Sequence, residues 1–139
     1  MIILLDDDNY APPTFSNIVD AFKILSEESK PGDAVFVQFS GHGGRVLDAA
    51  IDSEAESYDE VIVPFDYEKS GIIRDTLIFK TLLAPMRYGV TLTILIDSCD
   101  TGMLVELPYA WNAKSDKRGN AAKVRVNFLS TLNDLVCFR

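Results

Sequence analysis

The sequence is poor in the residues that build metal centres and disulfide frameworks. Its 139 residues include a single histidine, His42, and two cysteines, Cys99 and Cys137. One histidine excludes a metal site built from several imidazoles, and two distant cysteines match neither a zinc-ligand pattern nor a disulfide framework. Any reaction in this chain that pairs a cysteine with a histidine must therefore use His42.

Long hydrophobic runs are also missing from the sequence. No apolar stretch approaches the ~20 residues that a membrane-spanning helix needs. The opening Met-Ile-Ile-Leu-Leu runs directly into three aspartates and has neither the basic start nor the small-residue cleavage site of a signal peptide. We therefore expect a cytoplasmic protein that does not associate with membranes.

Positive charge is scarce, because 13 Lys and Arg residues face 21 Asp and Glu residues and leave a net charge of −8. A nucleic-acid-binding protein is normally basic, so we expect no nucleic-acid partner. Hydrophobic residues make up 47% and charged residues 24%, which is ordinary for a globular protein of one domain. Residues 112–123 look like an exposed basic linker.

Apolar segments of strand length alternate with helical patterns along the chain. Strands that are apolar on both faces indicate a parallel sheet covered by helices, which predicts the α/β class. A helix is predicted from a cap at Thr14 or Ser16 to about Ser29, and a second at Asp75–Met86. Strands are predicted at Ile2–Leu5, Ala34–Ser40, Glu60–Pro64 and Val90–Asp97, a long polar loop at 41–57, and a small hairpin or turn at 66–73.

Two of the predicted strands end in reactive residues. His42 follows the strand 34–40 inside a glycine-rich segment, and Cys99 follows the strand 90–97. The carboxyl ends of parallel strands meet at one edge of a sheet, so these two residues are candidates for a base and a nucleophile. The alternatives are an incidental loop histidine and a cysteine that is packed as a small apolar residue.

Four segments of the sequence carry a family resemblance. They are Ser-Gly-His-Gly-Gly at 40–44, Tyr-Asp-Glu-Val-Ile-Val-Pro-Phe-Asp at 58–66, Leu-Thr-Ile-Leu-Ile-Asp-Ser-Cys at 92–99 and Leu-Pro-Tyr at 107–109. Together they resemble the catalytic p20 region of metacaspases, which are caspase-fold cysteine peptidases. The resemblance covers roughly residues 12–110 and implies a caspase-like three-layer α/β/α sandwich with a mostly parallel sheet. It divides the chain into a partial p20 domain at 1–110 and a basic linker with an unassigned segment at 111–139.

The resemblance also implies a reaction and its residues. The substrates would be proteins or peptides, cleaved after Arg or Lys by the Cys99 nucleophile with His42 as general acid/base. The backbone N–H groups of Gly43 and Cys99 would form the oxyanion hole. Ser40 and Asp97 would line the pocket for the basic side chain, where a carboxylate can pair with a guanidinium. No cofactor is required for this chemistry.

Calcium is an expected activator, since many metacaspases respond to it. The family's four acidic positions correspond here to Asp59, Arg74, Asp75 and Glu106, so three metal-binding carboxylates are expected. Calcium takes six to eight oxygen ligands, and a guanidinium among them would oppose the metal. Either Arg74 points away from the site, or this chain binds calcium weakly or not at all.

Three departures from the family pattern bear on activity. Asp100 stands where metacaspases usually carry histidine, and a neighbouring carboxylate disfavours the Cys99 thiolate. The family's first strand precedes the segment that begins at Ile2, so we expect a sheet that is incomplete at its N-terminal side. The p10 part has no counterpart, and association with a p10-like segment or another chain is expected. The alternative to a working peptidase is a catalytically weak or inactive caspase-like module that binds or regulates partner proteins.

Overall fold

The computed structural model describes residues 1–47, 58–99 and 104–105, and the predicted linker and C-terminal segment at 111–139 lie outside these ranges. The described chain combines helices with a parallel pair of strands, which confirms the α/β class. The helices are α1 (Phe15–Glu28), α2 (Tyr67–Ser70) and α3 (Asp75–Ile78), which continues as a π-helical segment at Phe79–Leu83. The strands are β1 (Ala34–Ser40), β2 (Gly43–Leu47), β3 (Tyr58–Ile62), β4 (Ile73–Arg74) and β5 (Thr91–Asp97).

A parallel pair formed by β1 and β5 carries the predicted reactive residues. The two strands are in register over their full length, and Ser40 lies opposite Asp97 at the carboxyl end. At the other end, the N–H of Gly32 donates to the carbonyl of Gly89 over 2.7 Å. Both glycines have positive φ, 95° and 85°, which L side chains rarely adopt. The contact between these two turns aligns the first residues of β1 and β5. Because the strands have equal length, their carboxyl ends are aligned as well.

The hydrophobic core lies on one face of this parallel pair. Helix α1 and the helical segment 75–83 supply one side of the core, and β5 supplies the other. On the opposite face of the pair, Phe36 is 61% exposed. Within the described ranges, the sheet is therefore covered on one face. The buried core residues of these elements are Ile18, Val19, Phe22, Ile78, Leu82, Leu83, Leu92, Ile94 and Ile96.

A second sheet consists of β2, β3 and β4, each antiparallel to the next. The prediction of a loop throughout 41–57 was wrong for Gly43–Leu47, which forms β2. Its two leading glycines conceal the alternating pattern of a strand, and the ladder with β3 satisfies its backbone groups. The hairpin or turn predicted at 66–73 is instead the short helix α2, followed by the start of β4.

The N-terminal strand prediction was also wrong. Within Ile2–Leu5, a single parallel bridge joins Leu4 to Ala11, and no named strand forms there. Ile2 and Leu5 are 43% and 42% exposed, although a buried strand was expected. An apolar run becomes a strand only when a neighbour can take its backbone hydrogen bonds, and no described strand lies beside this run.

The prediction of the first helix was confirmed by its capping chemistry. Thr14 begins α1, because its hydroxyl accepts a hydrogen bond from the N–H of Asn17 over 3.3 Å. Ser29 follows the last helical residue, as predicted.

The second predicted helix begins at Asp75 but changes to π-helical geometry at Phe79. It has no side-chain cap at Arg74 and ends at Leu83, before the predicted Met86.

Candidate active site

The carboxyl ends of β1 and β5 form one edge of the parallel sheet. Ser40 and Asp97 lie opposite each other there, and the N–H of Gly41 donates to the carbonyl of Asp97 over 3.3 Å. His42 and Cys99 each follow two residues beyond this last pair, and both are exposed. The structure therefore brings the predicted nucleophile and base to the same edge.

The backbone around His42 is fixed on two sides. The Gly41–Asp97 bond holds it to the parallel pair, and the N–H of Val63 donates to the carbonyl of His42 over 2.9 Å. A Cβ at Gly41 would come within 3.0 Å of the Phe39 ring, so the turn is closely packed. The turn that carries His42 is therefore hydrogen-bonded on one side to β5 and on the other side to Val63, which follows β3.

Gly43 presents its backbone N–H away from β3. Antiparallel ladders alternate between pairs that exchange hydrogen bonds and pairs that do not. His42 accepts from Val63, so the next pair, Gly43 and Ile62, is of the second kind. The N–H of Gly43 is directed to the other side of β2.

The predicted pocket residues, Ser40 and Asp97, share one face of the sheet. Paired residues of parallel strands point to the same side, and both side chains are exposed. An accessible carboxylate therefore lies two residues from Cys99. Asp100, the expected neighbour of the thiol, lies outside the described residues.

The predicted calcium ligands have partners within the chain. Arg74 does not point away, because its Nη1 donates to Oδ2 of Asp59 over 2.5 Å. Oδ2 of Asp75 accepts from the N–H of Glu60 over 3.2 Å. Glu106 lies outside the described ranges. No three His, Cys, Asp or Glu side chains in the described part converge on a point that could hold a metal. The described members of the set, with a guanidinium paired to Asp59, do not fit calcium.

Two further acidic residues have structural partners that the sequence analysis missed. Glu60 is 4% exposed and pairs with Arg45, its neighbour across the β2–β3 ladder, at 3.3 Å. Asp66 accepts hydrogen bonds from the Ser70 hydroxyl over 2.6 Å and from the Phe15 N–H over 2.7 Å, and these lower the pKa of its carboxyl. Only the spacing of Asp66 and Ser70 along one helical turn was visible in the sequence.

Comparison with known proteins settles the family. The family model described as "Metacaspase, peptidase C14 domain" matches residues 1–108. The chain belongs to the metacaspase family. Its curated relatives include metacaspase III c of Phaeodactylum tricornutum, 40% identical over 111 residues that cover 80% of this chain and 33% of the relative. Metacaspase-1B of Aspergillus niger is 38% identical over 137 residues, covering 96% of this chain and 31% of the relative.

A solved structure agrees with this assignment. A crystal structure of a Geobacter sulfurreducens protein superposes with a TM-score of 0.53 at 29% identity, covering 63% of this chain and 31% of that one. The metacaspase resemblance and the caspase-like α/β class are thus confirmed, and membership supports a cysteine peptidase of C14 type. The chain spans about a third of the length of the curated relatives it matches.

The structure also bears on the membrane prediction. No helix in the described part of this metacaspase is long and apolar enough to cross a bilayer.

Proposed function

We propose that this metacaspase chain carries the catalytic centre of a cysteine endopeptidase that hydrolyses peptide bonds after Arg or Lys. Cys99 is the nucleophile and His42 is the general acid/base. The observation that supports this most is the register of β1 and β5. Because Ser40 lies opposite Asp97, residues that follow each strand by two positions emerge at the same sheet edge.

In this reaction His42 takes up and gives back a proton twice. His42 first takes the proton of the Cys99 thiol, and the thiolate attacks the scissile carbonyl carbon while the carbonyl π electrons move to oxygen. When the tetrahedral intermediate collapses, the C–N bond breaks and His42 donates that proton to the leaving amine. His42 then takes a proton from the water that attacks the thioester, and it returns this proton to the Cys99 sulfur as the C–S bond breaks and the acid leaves.

The oxyanion of each intermediate needs donors that secondary structure does not occupy. We assign this role to the backbone N–H groups of Gly43 and Cys99. The direction of the Gly43 N–H, away from β3, supports the assignment, because a donor consumed by the ladder could not serve. Its rigid position in β2 reduces the reorganisation that charge stabilisation would otherwise require.

Specificity for a basic side chain rests on Asp97, with Ser40 beside it. An exposed carboxylate at the end of β5 can accept two parallel hydrogen bonds from an arginine guanidinium. Lysine would be held as a point charge and with less directionality. An aspartate substrate would meet like charge at the same place.

The test is hydrolysis of fluorogenic peptides that end in Arg, Lys or Asp, by the chain and by its Cys99→Ala variant. We expect turnover of the Arg and Lys peptides and a loss of at least ~1,000-fold in the variant, since the covalent step requires the thiol. Circular dichroism of both proteins provides the control for folding.

Two results would contradict the proposal. If the folded chain does not turn over any of these peptides, the chain is a weak or inactive caspase-like module and not a working peptidase. If the peptide ending in Asp is preferred, Asp97 is not the specificity residue.

A further inference from the structure

The ion pair between Asp59 and Arg74 is built into the antiparallel sheet. Arg74 on β4 lies opposite Val61 on β3, and Asp59 is two residues from Val61 on the same face of β3. The Asp59 side chain is only 15% exposed and the Arg74 side chain 40% exposed. The ladder therefore fixes a full positive charge against a largely buried carboxylate.

The neighbouring carboxylate is engaged as well. Oδ2 of Asp75 accepts from the backbone N–H of Glu60, the residue next to Asp59, and Oδ1 accepts from the N–H of Thr76. These bonds join the start of α3 to β3. A cation that bound Asp59 and Asp75 together would have to displace both these donors and the guanidinium.

From these contacts we infer that the Arg74 guanidinium is the resident cation of Asp59, so that this corner folds without a divalent metal and excludes calcium. Calcium takes carboxylate oxygens as ligands, and the Asp59 carboxylate already pairs with the Arg74 guanidinium. A calcium ion on the same carboxylate would lie next to the guanidinium, and two neighbouring cations repel each other. The inference concerns metal binding and does not depend on the proposed peptidase activity.

The experiment is thermal unfolding of the full chain with millimolar calcium or with a chelator, beside calorimetric titration with calcium. For the unchanged chain we expect a Tm shift below about 1 °C and no binding heat. Arg74→Gln frees the Asp59 carboxylate. We expect a lower Tm without metal and a rise of at least about 3 °C with calcium, because a ligand that binds only the folded state stabilises it.

A matched control is available in the same sheet. Arg45→Gln also removes a guanidinium that pairs with a carboxylate, that of Glu60. We expect no calcium response from this variant, because the Arg74 guanidinium still pairs with Asp59. Magnesium at the same concentration controls for ionic strength.

Three outcomes would overturn the inference. The first is calcium binding or stabilisation in the unchanged chain, and the second is an Arg74→Gln variant that folds but ignores calcium. Arg74→Lys retains the positive charge and serves if Arg74→Gln does not fold; it should fold without a calcium response. The third outcome that would overturn the inference is a calcium response in Arg74→Lys.

Discussion

The two sheets of the molecule use their polar side chains in opposite ways. At the carboxyl edge of the parallel pair, His42, Asp97 and Cys99 are all exposed. In the antiparallel sheet, Asp59 and Glu60 are largely buried, and each is paired with an arginine. Exposed reactive groups contribute little to folding and are free to meet a substrate, whereas buried charges must be compensated for the chain to fold.

Substitution of His42 is the most direct test of this difference between the two sheets. We expect His42→Ala to reduce turnover about 100- to 10,000-fold, the usual contribution of a general acid/base. Its free energy of unfolding should change by no more than about 0.5 kcal/mol, as for surface positions elsewhere. Peptide hydrolysis and denaturant unfolding measure the two effects.

An exposed residue on the same strand controls for nonspecific effects at this edge. Gln38→Ala should change neither the turnover nor the stability, since Gln38 is exposed and precedes the last residue of β1 by two positions. Full activity in His42→Ala would remove the histidine from the mechanism.

Substitution of Arg45 is expected to lower the stability and to leave the turnover nearly unchanged. Arg45→Gln should lower the free energy of unfolding by about 1–3 kcal/mol, because the buried Glu60 carboxylate loses its charged partner. Arg45 shares β2 with Gly43, but the backbone ladder with β3 holds that strand without the Arg45 side chain, so kcat should change little. Urea denaturation of the folded chain measures the loss.

An exposed ion pair is the matched control for Arg45. Lys23 and Asp20 pair at 3.2 Å with side chains 52% and 63% exposed. Lys23→Gln should cost less than about 1 kcal/mol, as for other surface salt bridges. Equal losses at Arg45 and Lys23 would mean that the burial of Glu60 is irrelevant.

The parallel half of the molecule was predictable because its signals are local. Each of its strands is an apolar run that begins after a turn glycine, Gly32 or Gly89, and α1 begins at a residue whose hydroxyl caps it, Thr14. The position of the candidate site follows from the same signals. Reactive residues just beyond two parallel strands must share an edge.

The antiparallel half was less predictable because its contacts join distant residues. Strand β2 begins with two glycines, which carry no alternating pattern, and it is defined by pairing with β3. Without β2 in place, the Arg45–Glu60 pair could not be anticipated. The family resemblance places Asp59 and Arg74 in one region, but their contact depends on the register of β3 and β4, which sequence spacing does not fix.

Asp66 links the parallel and antiparallel halves of the molecule. Of the predicted effects, we expect that of substituting Asp66 to be the smallest. It follows β3, yet its Oδ1 accepts from the N–H of Phe15 at the start of α1, whose buried face packs against the parallel pair. The Ser70 hydroxyl and this N–H lower the pKa of the Asp66 carboxyl below its usual 3.8. The ionised form is therefore favoured by folding.

The sign of the pH effect follows from that direction. The stabilisation is fully present above the unfolded-state value near 3.8 and is lost as the pH falls through the lower pKa of the folded state. The Tm difference between the unchanged chain and Asp66→Ala should therefore be constant near neutral pH and should shrink below about pH 4. Asp20→Ala, at an exposed carboxylate of α1, is the control. A difference for Asp66→Ala that persisted undiminished into strong acid would mean that the ionised carboxylate does not hold the two halves together.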